Sequence, residues 1–309
     1  MRVLVTGATG FIGSALAQRL MQAGHQLVCA VRRPVTIAGA RTVGVGAVGP
    51  ATDWRAALEG VSAVVHLVGL AHTHPARLPP VADYHAINAG GTHSLAEAAG
   101  RAGVERLIFV SSIGVNGEKS GPKPFREEDL PAPKTPYALS KLEAERRLTE
   151  SAQKHGFDWC IIRPPLVYGP LARGNFLRLT RLIARGWPLP LASARAKRSY
   201  IALDNLISVL TTALEAPAAR NALFLASDGE DIATADLVRA LAGHMHRNVR
   251  LFAAPPLLMT SLAALIGRRP DAVKLFEAMQ IDNSRLRERL GWRPVVSLDE
   301  GLRRAVAAA

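Results

Sequence analysis

The first thirteen residues contain an apolar run that ends at evenly spaced glycines and continues without a gap into an amphipathic stretch. The run is Val3-Leu4-Val5-Thr6, and the glycines are Gly7, Gly10 and Gly13. This order predicts a strand, a tight turn and a helix start, an arrangement whose free amide groups bind the pyrophosphate of a dinucleotide. Gly7 permits the sharp exit from the strand, Gly10 lets the backbone approach the phosphates, and Gly13 lets the helix pack on the sheet. An ordinary glycine-rich turn is the alternative interpretation.

The first half of the chain alternates strand-like and helix-like patterns. Predicted strands span residues 2–6, 26–31, 62–68, 106–111 and 158–163, and predicted helices span 11–23, 53–59, 83–102 and 136–155. This alternation predicts an α/β fold, a Rossmann-type doubly wound parallel sheet with helices on both faces. With 309 residues, the chain is long enough for such a domain and a smaller lobe.

The pattern loosens after Gly169-Pro170. A short strand at 198–203, a helix at 204–215 and the apolar residues Phe224 to Ala226 follow, and short helices dominate from residue 228. We therefore predict a dinucleotide-binding domain of residues 1–170, to which residues 199–227 return. Residues 171–198 and 228–309 are predicted to form a smaller, mainly helical substrate-binding lobe.

The net charge of +13 indicates a nucleic-acid or membrane partner, an anionic small molecule, or simply a bias in composition. The arginines look scattered, without a run of five or six like charges or interleaved aromatic residues, which argues against nucleic acid. Attraction to an anionic membrane surface stays open. The longest apolar stretch, Leu257 to Ile266, is far shorter than the ~20 residues that span a bilayer, so no integral membrane segment is expected.

The two cysteines and the N-terminal sequence bear on the compartment. Cys29 and Cys160 lie in strand-like apolar runs and are expected to be buried thiols, as in a reducing compartment. No basic-then-apolar signal precedes the first predicted strand, and we expect a cytoplasmic protein.

Tyr137 and Lys141 are four residues apart in a predicted helix, which places both side chains on one face. A cation beside a phenol lowers its pKa from ~10 towards the working range. Tyr137 could then exchange a proton with a substrate oxygen while hydride moves to or from nicotinamide. The pair of hydroxyls Ser111-Ser112 ends a predicted strand, at the sheet edge where doubly wound folds bind ligands.

Together, the Gly7-x-x-Gly10-x-x-Gly13 turn, Ser112, Tyr137-x-x-x-Lys141 and the run from Arg163 to Pro170 resemble the extended short-chain dehydrogenase/reductases that act on nucleotide sugars. The resemblance covers nearly the whole chain. It includes three further motifs, namely Ile87-Asn88-x-x-Gly91-Thr92, Arg198-Ser199-Tyr200-Ile201 followed by Asp204-Asn205, and Leu290-Gly291-Trp292.

The resemblance implies roles for individual residues. Ser112 would orient the sugar C4 oxygen, Tyr137 would be the acid/base, and Lys141 would support it electrostatically. Asn175 and Arg198 would lie at the substrate diphosphate. The predicted cofactor site consists of Gly7, Thr9, Gly10, Phe11, Ile12, Gly13, Arg32, Arg33, His66, Leu67, Val68, Asn88, Ser111, Tyr137, Lys141, Arg163 and Pro164. The resemblance also suggests a homodimer through the helices around 83–102 and 136–155.

Two departures from the family pattern narrow the prediction. The second strand of the 4-epimerases usually ends in an acidic residue that binds the ribose of NAD, whereas this chain has Arg32-Arg33. A carboxylate would repel a 2′-phosphate and arginines would bind it, so NADP(H) is favoured over NAD(H). The family's Val-Tyr-Gly after the catalytic serine is Val115-Asn116-Gly117 here, and Gly114 replaces a small hydroxyl residue.

These features are most similar to bacterial C4-reductases of surface-polysaccharide (O-antigen) sugar synthesis. Such enzymes reduce a UDP-4-keto-6-deoxy-N-acetylhexosamine with NADPH, and this is the leading hypothesis. A UDP-hexose or UDP-N-acetylhexosamine 4-epimerase with tightly bound NAD is the second. A non-catalytic NAD(P)-binding sensor is the third, although an intact set of Ser112, Tyr137 and Lys141 argues against it.

The histidines do not predict a metal site. His72 and His74 lie beside Pro75 in a predicted loop, and His66, His85 and His93 are nearby in sequence, without the spacing that metal ligands need. His66 follows a strand and faces either the cofactor cleft or the core. The loop from Leu70 to Pro80 is expected to flank the nicotinamide end of the cofactor.

Overall fold

The structure is a computed structural model that describes residues 1–71, 78–172, 174–255, 259, 261 and 273–307, with only the backbone of Asn175. Its strands are β1 (Arg2–Thr6), β2 (Gln26–Val31), β3 (Ala40–Gly44), β4 (Ala63–His66), β5 (Arg106–Val110), β6 (Asp158–Arg163), β7 (Leu166–Tyr168), β8 (Lys197–Arg198), β9 (Tyr200–Ala202), β10 (Ala222–Leu225) and β11 (Ile232–Ala233).

The described helices are α1 (Phe11–Gln22), α2 (Arg55–Leu58), α3 (Val81–Tyr84), α4 (Gly91–Arg101), α5 (Pro136–His155), α6 (Asn175–Ala184), α7 (Leu203–Glu215), α8 (Thr234–His244), α9 (Ser284–Leu290) and α10 (Leu298–Ala307). A π-helical segment, His85–Gly90, joins α3 to α4. Two single-turn 3₁₀ segments lie at Ile113–Val115 and Pro217–Ala219.

Seven strands form one parallel sheet in the order β3-β2-β1-β4-β5-β6-β10. The chain moves outward from β1 in one direction and then returns to build from β4 in the other. The carboxyl ends of β1 and β4 therefore meet where the strand order reverses, which is where doubly wound sheets bind ligands. The predicted α/β fold is confirmed.

The sheet forms because its central strands are apolar on both faces, as parallel strands covered by helices must be. One layer packs α1 and α7 against the sheet through side chains such as Leu16, Leu20 and Leu210. The opposite layer packs α2, α4 and α5 through Leu58, Leu95 and Leu148, which are all buried.

A third apolar cluster lies away from the sheet, between α6, α8 and α10. It contains Phe176, Ile183, Leu237, Leu241 and Leu302. Two short pairings adjoin it, β7 with β9 in parallel and β8 with β11 antiparallel.

The boundaries of the main elements agree closely with the prediction, and α5 begins and ends where it was expected. Three strands were not predicted from the sequence, namely β3, β7 and the two-residue β11. β3 is an edge strand whose residues are only half-buried or exposed, so it lacks the apolar run that marks the others. The single helix predicted at 83–102 is interrupted, because the segment His85–Gly90 is π-helical.

Candidate active site

The turn after β1 leaves no room for side chains at its glycines. Gly7 has a φ of +71°, and a Cβ there would lie 3.3 Å from the amide nitrogen of Val68. A Cβ at Gly13 would overlap the carbonyl oxygen of Gly7. The Gly10 amide donates to that same oxygen at 2.9 Å and closes the turn.

The N-terminus of α1 is open to an anion. No side chain among the described residues caps it, and its first turn carries no acidic residue. Its first amide groups have no partner within the helix and point towards the turn. Together with the positive end of the helix dipole, they fit a phosphate.

Ser112 and Tyr137 meet at the carboxyl end of β5. Thr135 caps α5 by accepting from the Ala138 amide at 3.2 Å, and Pro136 occupies the first turn, so that Tyr137 lies at the start of the helix. The Ser112 hydroxyl accepts from the Gly114 amide at 3.2 Å and hydrogen-bonds to Tyr137. The pair of groups that the sequence predicts to face the reacting oxygen is therefore assembled.

Lys141 lies one turn further along α5 and is buried. Its Nζ donates to the carbonyl oxygen of Val110 at 3.0 Å and stands 4.5 Å from the centre of the Phe109 ring. Burial lowers the pKa of Lys141 to about 8, while the nearby Glu145 carboxylate opposes that shift. The ammonium group is thus held in a low-dielectric setting and anchored to the end of β5.

The pKa of Tyr137 moves in the direction opposite to the predicted one. Burial raises it to about 12, although the hydrogen bond from Ser112 lowers it in part. The predicted effect of Lys141 is not among the causes of the shift, and burial of the phenol dominates it. The phenol of Tyr137 is consequently neutral near pH 7.

Asn88 closes the site from the π-helical segment. Its side-chain oxygen accepts from the Leu70 amide at 2.6 Å, and its Nδ2 donates to the Leu70 carbonyl at 3.1 Å and to the Ser140 hydroxyl at 2.9 Å. A Cβ on Gly69 would lie 3.0 Å from the Nζ of Lys141. Asn88 therefore ties the loop after β4 to α5 beside the lysine, and π-helical turns are often found at such functional positions.

His66 is fully buried and belongs to a chain of hydrogen bonds with a defined direction. The amides of Leu67 and Val68 donate to the Thr6 hydroxyl at 3.1 and 3.4 Å. Thr6 lies 2.7 Å from His66 Nδ1, and His66 Nε2 lies 3.1 Å from the Thr92 hydroxyl. The Thr92 hydroxyl donates to the carbonyl of Asn88 at 2.6 Å.

The chain fixes the histidine tautomer. Because the Thr92 hydroxyl already donates to a carbonyl, it must accept from His66 Nε2, which leaves Nδ1 as the acceptor for Thr6. Burial lowers the pKa of His66 to about 3, with a smaller effect from the charge of Lys141. Both ring nitrogens have hydrogen-bond partners within the protein. A contribution of His66 to the cofactor site would therefore come from its backbone or from the loop that its ring orients.

Arg163 is also turned inward. Its guanidinium donates to both oxygens of Glu145, at 2.9 and 2.5 Å, and to the Asn116 side-chain oxygen at 2.9 Å. All three residues are buried. The bidentate pair holds β6 against α5 one turn after Lys141. Asn116, which stands where the family has a tyrosine, accepts the remaining hydrogen bond and so has a structural role. This network is not predicted from the sequence.

The two predicted substrate residues lie outside the seven-stranded sheet. Asn175 begins α6, and its side chain is outside the described part of the structure. Arg198 lies on β8, where its guanidinium donates to the carbonyls of Lys274 and Glu277 at 2.8 and 2.7 Å. Burial lowers the pKa of Arg198, as expected for a cation removed from water.

Four observations fit a bound dinucleotide. The glycine turn forms a cradle that any Cβ would fill, and α1 offers free amide groups. The Ser111 hydroxyl is buried and makes no hydrogen bond within the described residues, so a ligand could satisfy it. Arg32 and Arg33 follow β2 at the same edge of the sheet, where both are exposed.

Two other predictions concern groups outside this site. The described residues contain no group of three His, Cys, Asp or Glu side chains that could hold a metal, whereas His72 and His74 lie outside the described residues. Over the same described residues, no helix has the length and apolar character to cross a membrane. Most of the Leu70–Pro80 loop also lies outside the description.

Comparison with known proteins agrees with the geometry. Residues 3–224 match the model of the NAD dependent epimerase/dehydratase family. The chain belongs to this family. It is 36% identical to a UDP-glucose 4-epimerase of Vibrio cholerae over 99% of this chain and 94% of the relative.

Two further relatives show the breadth of the family. A 2-alkyl-3-oxoalkanoate reductase of Stenotrophomonas maltophilia is 27% identical over 100% of this chain and 99% of that protein. The UDP-glucose 4-epimerase of Thermus thermophilus, solved with NAD, matches with a TM-score of 0.79 and 25% identity over 100% of this chain and 98% of that one. As a member of this NAD dependent family, the protein is an enzyme of the extended short-chain dehydrogenase/reductase type.

Proposed function

We propose that the enzyme uses NADPH to reduce the C4 keto group of a UDP-4-keto-6-deoxy-N-acetylhexosamine. The observation that carries this proposal is the pair Arg32-Arg33 at the end of β2. Both side chains are exposed, and neither forms an ion pair within the described parts of the chain. Guanidinium groups suit a 2′-phosphate, whereas the carboxylate usual at this position would repel it.

A cofactor that carries a 2′-phosphate suits a reductase because it is exchanged in every turnover. The nicotinamide cofactor supplies hydride when bound. As hydride reaches C4, the electrons of the carbonyl π bond move to oxygen, and Tyr137 donates its proton to that oxygen. Ser112 donates a hydrogen bond to the same oxygen, and Tyr137 regains a proton from solvent before the next turnover.

The protonation of Tyr137 is compatible with the proposed reduction. Burial raises the pKa of its phenol to about 12, so the group carries the proton that it would donate to the C4 oxygen. Lys141, whose pKa lies near 8, remains largely charged at neutral pH and stabilises the phenolate that forms after proton transfer.

The cofactor assignment predicts a selective effect of charge reversal. Arg32→Glu combined with Arg33→Glu should raise the KM for NADPH at least tenfold, because two attractive charges become repulsive towards the 2′-phosphate. The KM for NADH should change less than threefold. Initial rates with each cofactor provide the measurement, and Lys123→Glu with Arg293→Glu, two exposed cations elsewhere, is the matched control. An equal rise in both constants would contradict the assignment.

A 4-epimerase with tightly bound NAD is the second candidate, favoured by the 36% identity to the Vibrio cholerae protein. Such an enzyme keeps its cofactor through the reaction. Denaturing the purified protein should therefore release about one NAD per chain if it is an epimerase. The reductase proposal predicts substoichiometric cofactor and loss of nicotinamide absorbance when the keto sugar and NADPH are added.

The cofactor and the substrate are proposed to bind to different parts of the chain. We propose that residues 1–170 with 199–227 bind the cofactor, and that 171–198 with 228–309 bind the UDP-sugar, with Asn175 and Arg198 near its diphosphate. The separate apolar cluster between α6, α8 and α10 supports this division.

A homodimer through α4 and α5 is our proposal for the assembly. Leu139 on α5 and Val81 on the neighbouring α3 are exposed large apolar side chains, as an interface would require. Light scattering on the purified protein tests it.

A further inference from the structure

Two stretches of the sequence carry the whole net charge. Residues 159–203 and 237–270 contain thirteen Lys and Arg and no Asp or Glu, and the chain as a whole has a net charge of +13. The rest of the chain is therefore balanced. The arginines are spread along the chain, but the acidic residues are missing from these two stretches. The net positive charge is therefore concentrated there.

The structure places many of these cations at the surface of the lobe. Six of them are exposed and form no ion pair with the described residues, namely Arg181, Arg185, Arg195, Lys197, Arg247 and Arg250. Arg163 and Arg198 differ, because their guanidinium groups are engaged by neighbouring protein groups. An uncompensated surface of this kind attracts anions over several ångströms.

Two segments of the lobe bring exposed aromatic rings beside these cations. The Leu189 amide donates to the carbonyl of Arg250 at 2.9 Å, and the Phe252 amide donates to the carbonyl of Leu189 at 3.1 Å. Leu189 and Leu251 pack into the lobe cluster. Trp187 and Phe252 instead remain 57% and 49% exposed.

The guanidinium of Arg185 lies 5.5 Å from the centre of the Trp187 ring. We call Arg185, Trp187, Arg250 and Phe252 the aromatic–basic patch. Exposed apolar patches that polar residues surround often mark sites of protein or membrane interaction.

We propose that the aromatic–basic patch docks the enzyme on an anionic phospholipid surface. Tryptophan and phenylalanine enter the headgroup boundary of a bilayer, and arginines beside them pair with lipid phosphates. The sequence that follows Phe252 agrees with this occupant, because it runs into the apolar stretch Leu257 to Ile266 and then Arg268-Arg269. Such docking lies outside the proposed catalytic function.

A lipid surface explains the patch better than nucleic acid does. Proteins that bind single strands offer aromatic faces on which bases stack. Here the guanidinium of Arg185 already stands over the ring of Trp187, and the sequence after Phe252 is apolar rather than polar. On a lipid surface, the arginine would pair with phosphates while the tryptophan ring and the apolar residues contact the acyl chains.

Vesicle binding tests the proposal with the full-length enzyme. Cosedimentation with phosphatidylcholine vesicles that contain phosphatidylglycerol should pellet the protein, and pure phosphatidylcholine vesicles should not. Binding should weaken as salt rises, because the attraction is screened. Trp187 is the most exposed of the four tryptophans, so its fluorescence should shift to the blue on binding, and Trp187→Phe should abolish that shift.

Variants separate the patch from general charge. Arg185→Glu with Arg250→Glu should weaken binding at least tenfold, while Lys123→Glu with Arg293→Glu, which changes the net charge equally, should weaken it less than threefold. Trp187→Ala with Phe252→Ala should lower binding more than Leu130→Ala with Val295→Ala, two exposed apolar residues elsewhere. Wild-type far-ultraviolet circular dichroism and an unchanged Tm in all four would show that the variants fold.

Three results would overturn the proposal. The first is no binding beyond that to neutral vesicles. The second is an equal loss in the patch and control variants, which would indicate attraction by overall charge. The third is tight binding of a single-stranded oligonucleotide that displaces the vesicles, which would assign the patch to nucleic acid.

Discussion

At the scale of single residues, burial controls the protonation of the groups that would carry the reaction. Tyr137 is half-buried and Lys141 is fully buried, and loss of water favours the neutral form of each. The phenol therefore keeps its proton, and the nearby Glu145 carboxylate opposes the loss of charge from Lys141. The Val110 carbonyl accepts a hydrogen bond from the Lys141 Nζ. This balance suits a site that gives a proton to a substrate oxygen.

Removing the phenol should stop turnover while leaving the fold and cofactor binding intact. Tyr137→Phe is expected to lower kcat by about 10²–10⁴-fold, the range typical of a lost general acid. The dissociation constant of NADPH, measured by fluorescence titration, should change by less than about threefold. Tyr84→Phe, a buried tyrosine of α3, should keep kcat near the wild-type value. Residual activity above a tenth would remove Tyr137 from this role.

The sequence predicts which residues meet at the site better than it predicts their environment. The spacing of Tyr137 and Lys141 and the strand end at Ser112 bring these three to one edge of the sheet, as expected. The partners of Arg163 could not be read from the sequence, since Glu145 and Asn116 are distant from it along the chain. The direction of the pKa shift of Tyr137 depends on packing that spacing does not encode.

At the scale of elements, one buried histidine joins β4 to the helix that follows. His66 at the end of β4 bonds to Thr6 at the end of β1 and to Thr92 in α4. The bonds fix the loop that carries Leu67 and Val68 beside Gly7. Only the neutral ring can accept from Thr6 and donate to Thr92 at once.

The neutral state of His66 predicts an acid-dependent loss of stability. The pKa of His66 is about 3 when folded, compared with 6.5 as the unshifted value, so the unfolded chain takes up a proton first as the pH falls. The contribution is fully present above pH 6.5 and is lost between about 6.5 and 3, with a size of a few kcal/mol.

Urea unfolding at several pH values measures this effect. His66→Gln cannot take up the proton, so its free energy of unfolding should fall less than that of the wild type between pH 6.5 and 4. His85→Gln, which changes an exposed histidine, should follow the wild-type curve. Equal slopes for His66→Gln and the wild type would show that the ring is already charged in the folded protein.

Elements with a continuous apolar run were predictable, and those without one were not. β1, β2, β5 and β6 are almost fully buried and were assigned to within one residue. β3 lies at an edge with mixed burial, and β7 has three residues, so neither leaves a clear pattern. The π-helical segment keeps helix-like composition, and only its hydrogen bonds distinguish it.

At the scale of the whole molecule, the proposed chemistry and the net positive charge lie in different parts of the chain. The sheet holds the groups that would bind the cofactor and transfer the proton. The residues of the proposed lobe include most of the cations that give the chain its positive charge. A nucleotide sugar is itself anionic, so a basic lobe also favours its approach to the enzyme.

The measurement that tests the account most directly follows the hydrogen that arrives at C4. NADPH carrying deuterium at the transferable position of its nicotinamide is incubated with the enzyme and UDP-4-keto-6-deoxy-N-acetylglucosamine, and the sugar product is analysed by mass spectrometry. A reductase should place one deuterium on the sugar for each NADPH oxidised. A product that forms without deuterium, or an unchanged keto sugar together with epimerisation of UDP-glucose, would contradict the proposed function.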